Sequence, residues 1–100
     1  MILHTVNKSP FQNDSLAGCL RVAKEGSAIL LIEDGVYAAT KGTKVSASIE
    51  EAMKSVKVYA LTPDLETRGV QDRVIDGVEL VDYAGFVNLA AEYSAVQSWL

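Results

Sequence analysis

The sequence has one cysteine, Cys19, and one histidine, His4. A single thiol cannot form an internal disulfide, and the two residues together cannot supply the three or four ligands of a zinc site. No metal and no cofactor are expected. The seven glycines, at 18, 26, 35, 42, 69, 77 and 85, are too dispersed to build a dinucleotide-binding fingerprint or a Walker phosphate loop. There is no Gly-x-Ser-x-Gly elbow. Nine Lys and Arg stand against thirteen Asp and Glu, for a net charge of −4. The basic residues form no run, so neither direct nucleic-acid binding nor an acidic membrane surface is expected. No apolar stretch approaches a bilayer-spanning length, and the start MILHTVNKSPF lacks the basic n-region of a secretory leader. A reducing compartment, the cytoplasm, is the expectation.

What the chain does have is apolar residues, 49% of 100 positions. A domain of this length buries only about 60–70% of its unfolded surface. Part of that apolar content has no room in one core, which predicts cover by a partner subunit. The order of patterns is strand, helix, strand, helix, over a single domain spanning residues 1–100. Ile2–Val6 is a short, β-branched apolar run and reads as a first strand. Asn7–Asp14 is a loop, after which Asp14 or Ser15 is placed to cap a helix that Gly26 stops. Ala28–Ile32 has no polar residue, as suits a strand covered on both faces. Asp34 is placed to cap a short helical turn through VYAAT, and Val45 to begin a minor strand. Ser48 and Glu51 fit a capping box for a helix to about Val56. Lys57–Leu61 is a third main strand. Pro63 suits the first turn of a helix that Gly69 closes. Val78–Asp82 is a fourth strand, preceded by a plain turn at Asp76-Gly77 rather than a hairpin. Asp82 to Tyr93 is a last helix, and VQSWL a tail. Strands alternating with helices imply right-handed crossovers and a three-layer α/β/α domain with a mostly parallel sheet of four to five strands.

Few residues carry chemistry. His4 lies within a strand, and a lone histidine there reads first as structural. Glu33 and Asp34 are adjacent at a strand end and point apart, a poor acid–base pair. Leu16, Cys19, Leu20 and Ala23 fall at i, i+3, i+4 and i+7 and share one helix face, with Arg21, Lys24 and Glu25 on the other. Cys19 therefore has two open readings. It is a small buried hydrophobe, or it is a sulfur carrier whose thiolate is exposed to a partner. With Ser15 as cap, Cys19 is the fourth helical residue, at the edge of the helix-dipole effect. A third possibility is a stand-alone ligand binder working at the carboxyl ends of the strands. Three of those four ends carry a carboxylate, which would repel an anion.

LHTVNKSPF, LIEDGVYAA, KVYALTPDLETRG and VDYAGFVNL, in this order and with the tail VQSWL, resemble the DsrH/TusB family over nearly the whole chain. The resemblance implies the smallest of three related subunits. The other two are DsrE/TusD-like and DsrF/TusC-like, and the three assemble as a heterohexamer with two copies of each. Such a complex relays persulfide sulfur to a carrier protein of the DsrC/TusE type, in dissimilatory sulfur oxidation or in 2-thiolation of a tRNA wobble uridine. It also implies that the main acting cysteine belongs to a sister subunit, which leaves Cys19 at most an auxiliary carrier. Tyr37, Tyr59, Tyr83, Phe86, Tyr93 and Trp99 are candidate interface anchors, Trp99 foremost, because a large ring near a chain end needs cover.

Overall fold

The computed structural model describes residues 1–100. Its elements run β1 (Ile2–Val6), α1 (Ser15–Val22), β2 (Ala28–Leu31), a 3₁₀ helix (Glu33–Ala39), α2 (Ser46–Ala52), β3 (Lys57–Leu61), α3 (Thr62–Thr67), β4 (Glu79–Val81), α4 (Tyr83–Glu92) and β5 (Ala95–Trp99). The five strands form one sheet in the order β4-β3-β2-β1-β5, and every pairing is parallel. The α/β reading holds, and the sheet is wholly parallel.

Strand alternation sorts the core into two layers. Val6, Ile29, Leu31, Val58 and Ala60 point to one face. There they meet Leu16 and Cys19 of α1, Val36 and Ala38 of the 3₁₀ helix, Ile49 of α2 and Leu65 of α3. Leu3, Ala28, Leu30 and Tyr59 point to the other face, where Leu89, Phe86 and Ala90 of α4 cover them. The topology dictates this division. β1 to β4 step across the sheet in one direction, so right-handed crossovers keep their connections on one face. The return from β4 to β5 runs the opposite way and carries α4 to the other face.

Several sequence expectations are corrected. The tail VQSWL is not a tail: it forms most of β5, which pairs with β1 from Ile2↔Ala95 to Val6↔Trp99. Trp99 is half-buried against its own chain. Its indole Nε1 donates to Nδ1 of His4 at 3.1 Å, and its ring packs over Gly18 of α1. Val45 begins no strand; it sits at the start of α2, and the minor pairing is an antiparallel bridge between Thr40 and Val74. The Ser48–Glu51 capping box does not form, because α2 starts three residues earlier, with Val45 at the cap position. Ser46 Oγ instead accepts from the Thr43 N–H at 3.0 Å, and the Glu51 carboxylate pairs with Lys54 at 2.9 Å. At the start of α1 neither Asp14 nor Ser15 caps through its side chain; Asn13 Oδ1 accepts from the Ser15 N–H.

Two glycines do what no other residue could. Gly69, at φ +68°, closes α3: its N–H donates to Glu66 O, and that of Val70 to Leu65 O. This double bond to the last turn needs a left-handed residue. Gly35 lies where any Cβ would overlap the Val6 carbonyl oxygen, which already accepts from Ile32 N–H at 3.0 Å.

Three outcomes follow from this packing. Gly35→Ala should cost about 1–3 kcal/mol or more in a urea titration, because the methyl meets main chain that cannot yield. Trp99→Phe should cost about 1–3 kcal/mol, because it leaves the His4 Nδ1 buried without its donor. Burial also pushes the His4 pKa below its ordinary value of 6.5. Well above pH 6.5 the imidazole is neutral whether the chain is folded or not, and contributes no pH dependence. As pH falls from there to the folded value, only the unfolded chain takes the proton, so stability is lost over that window. His4→Gln should lose less stability than the natural chain between pH 7.5 and about 5.5, read from urea midpoints.

Candidate functional site

The sequence offers two places where chemistry could occur: Cys19, and the carboxyl ends of the strands. Cys19 is completely buried, among Leu16, Ile29, Leu31 and the rest of the larger core layer. Burial pushes its thiol up to about 12. At neutral pH the thiolate is then roughly one part in 10⁵. The helix adds little to counter this. Ser15 is the first residue of α1 rather than its cap, so Cys19 is the fifth, beyond the turn where exposed N–H groups lower a pKa. No cavity is lined by it. A groove of about 550 Å³ runs between α1 and α2, lined by Ala17, Leu20, Arg21, Ser48, Glu51 and Ala52.

At the carboxyl ends of the strands three of the four carboxylates are already engaged. Glu33, at the end of β2, has a left-handed backbone (φ 50°), and its N–H donates to Asp64 Oδ2 at 2.6 Å. Arg68 Nε donates to Asp34 Oδ1 at 2.9 Å, with its Nη1 4.0 Å from Asp64. This small network fastens the 3₁₀ helix to α3. Asp82 Oδ1 accepts from Gly85 N–H at 2.8 Å and caps α4. Asp34, Asp64 and Asp82 thus each hold a local turn or helix end through their carboxylates, while Glu33 is engaged through its main-chain N–H. Asn7 Oδ1, at the end of β1, is buried with no hydrogen-bond donor. No three side chains among His, Cys, Asp and Glu converge to hold a metal ion. His4 is buried, and its Nδ1 is occupied by Trp99.

The surface shows a third feature that sequence reading passed over. α4 reads YAGFVNLAAE, with Glu92 its only charge. Leu89, Phe86 and Ala90 face the sheet. On the opposite side Tyr83 and Val87 are 61% and 67% exposed, with Ala84 and Ala91 exposed beside them. Of the candidate aromatic anchors, Tyr83 lies open, Tyr59 is core, and Tyr37, Phe86 and Tyr93 are half-buried against it. The signal was present in the sequence. The outer face of α4 has only Asn88 and Glu92 as polar groups, fewer than a solvent-facing helix normally presents.

Comparison with known proteins agrees on the family. The family model described as DsrH like protein matches residues 8–96. Protein TusB of Escherichia coli O81 (strain ED1a) is 39% identical over 98 residues, which is 98% of this chain and 100% of that one. Protein TusB of Shigella flexneri is 38% identical with the same coverage. Among solved structures, the ychN protein of E. coli superposes with a TM-score of 0.85 at 22% identity, covering 97% of each chain. A Thermotoga maritima protein, solved by NMR, superposes with a TM-score of 0.64 at 27% identity over 92% of this chain and 93% of its own. The ychN likeness speaks to the fold alone. A family model that spans most of the chain, and relatives matched along their full length, place this protein in the DsrH/TusB family.

Proposed function

We propose that this chain is a supporting subunit of a cytoplasmic sulfur-relay complex. In that complex, two homologous sister subunits join it in a heterohexamer, and persulfide sulfur passes to a DsrC/TusE-type carrier protein. The observation that carries the reading is the outer face of α4. Its exposed stripe of Tyr83, Val87, Ala84 and Ala91, with Asn88 as the one polar group among them, is better suited to a protein surface than to water. Only 28 of 100 residues are buried, against an apolar share of 49%. Even a wholly apolar core would leave a large apolar remainder for interfaces. Family membership supplies the identity of the cover: chains of the same fold.

Cys19 fits the supporting role. A persulfide forms when a thiolate attacks a donor sulfur, the S–S bond of the donor breaks, and its leaving sulfur departs with the electron pair. A thiol pushed up to about 12 and sealed in the core is poorly placed for that attack. In this reading the acting thiolate comes from a sister subunit, and Cys19 fills space between α1 and the sheet.

The deciding experiment is to purify the complex, treat it with polysulfide, and read the intact mass of each chain, beside a complex carrying Cys19→Ser. We expect sulfur on a sister subunit only, with equal loading in the Cys19→Ser complex. Sulfur on this chain that disappears with Cys19→Ser would make Cys19 a carrier. Val87→Asp tests the interface. It should weaken assembly with the sisters by tenfold or more in a binding titration, while circular dichroism of the isolated chain stays unchanged.

A further inference from the structure

The two edges of the sheet are not alike. β4 is three residues long, carries Glu79, and lies between Asp76 and Asp82. Charge and shortness protect such an edge from pairing with other chains. β5 has neither. Ala95–Trp99 is five residues of AVQSW with no charge, proline or glycine, and Ala95, Val96, Gln97 and Ser98 are all exposed.

The direction of its free main-chain groups follows from its neighbour. The Val6 carbonyl accepts from Ile32, so it faces the β2 side of β1. By alternation, the main-chain groups of Leu3 and Thr5 face β5. With Leu3 opposite Val96 and Thr5 opposite Ser98, the groups of Ala95, Gln97 and Trp99 turn toward β1. Those of Val96 and Ser98 are left pointing away from the sheet, their donors and acceptors open to an incoming strand.

We propose that β5 pairs antiparallel with β5 of a second copy of this chain, about a two-fold axis at Gln97, so that one sheet runs through both copies. Antiparallel pairing about that axis sets Val96 of one copy against Ser98 of the other, and their free N–H and C=O groups exchange hydrogen bonds. Gln97 faces its own copy across a non-hydrogen-bonded position. No like charges meet anywhere along the edge, which makes it complementary to itself. The side chains at its two ends agree with the direction. Met1, 69% exposed, is held beside the start of the strand by the bond from Ser94 N–H to Met1 O. Leu100, 81% exposed, follows its end. Antiparallel pairing brings Leu100 of one copy toward Met1 of the other. The proposal uses a different surface from the outer face of α4 and is independent of sulfur relay.

The test is sedimentation of the purified full chain over a range of concentrations, with Gln97→Lys and Val87→Asp run beside it. The natural chain should be dimeric. Gln97→Lys, which sets two cations face to face on the axis, should weaken self-association tenfold or more, and Val87→Asp should leave it unchanged. Gln97→Cys supplies a second reading. The paired Cα atoms would lie about 4.5 Å apart, within disulfide range, so mild oxidant should cross-link the dimer faster than it cross-links a Glu50→Cys control. Buried Cys19 should stay out of the reaction. A chain that remains monomeric, a dimer indifferent to Gln97→Lys but broken by Val87→Asp, or a Gln97→Cys chain that cross-links no faster than the control overturns the proposal. A monomer would leave the edge to an extended segment of another protein.

Discussion

Everything in this fold follows from the need to cover a parallel sheet on both faces. Parallel strands demand crossovers, and the handedness of the crossover decides which face each helix covers. Here β1 through β4 advance in one direction. Three helices and the 3₁₀ segment therefore gather on one face and build the larger core layer, Cys19 included. One reversal remains, from β4 across to β5, and only α4 is left for the second face. That single helix must be apolar toward the sheet. Its outward side is largely apolar as well, broken by Asn88 and Glu92, so the asymmetry created by topology ends as an exposed surface on the protein.

The same constraint explains why the residues with chemical potential are quiet. Side chains near the middle of a sheet covered on one face by three helices have no route to solvent. Cys19 and His4 both lie there, and burial moves each toward its neutral form: the thiol up, the imidazole down. Three of the four carboxylates at the strand ends are engaged in joining loops. Asp64 receives the strained Glu33 amide, Asp34 holds Arg68, and Asp82 caps α4. The His4–Trp99 bond links two adjacent strands from opposite ends of the chain and ties β5 to the body of the sheet. What remains available to other molecules is surface, namely the α4 stripe and the β5 edge.

Elements governed by local rules were legible in the sequence. The apolar runs at Ile2–Val6, Ala28–Ile32 and Lys57–Leu61 could only be buried strands. The helix ending at Gly69 and the cap at Asp82 follow from side-chain and backbone chemistry within a few residues. The apolar face of α1 that carries Leu16 and Cys19 was readable from helical spacing alone. Where expectation failed, a neighbouring turn set the boundary: Ser46 Oγ bonds Thr43 N–H and Thr40 O, so α2 begins at Ser46 with Val45 at its cap position and Ser48 falls inside it.

Sequence by itself determined the class of fold, the excess of apolar residues, the absence of a metal-binding set of His and Cys, and the apolar setting of Cys19. These depend on composition and on periodicities of two or of 3.6 residues, which are local properties of the chain. Tertiary structure alone decided that AVQSW is a strand, because its partner, β1, lies more than ninety positions away and no local pattern names it. It decided that Trp99 packs against His4 and Gly18 of its own chain, and that Asp34, Asp64 and Asp82 are engaged. It also decided that α4 stands alone on its face, because the face a helix covers is set by the order of strands in the sheet, a quantity that exists only once the chain has folded.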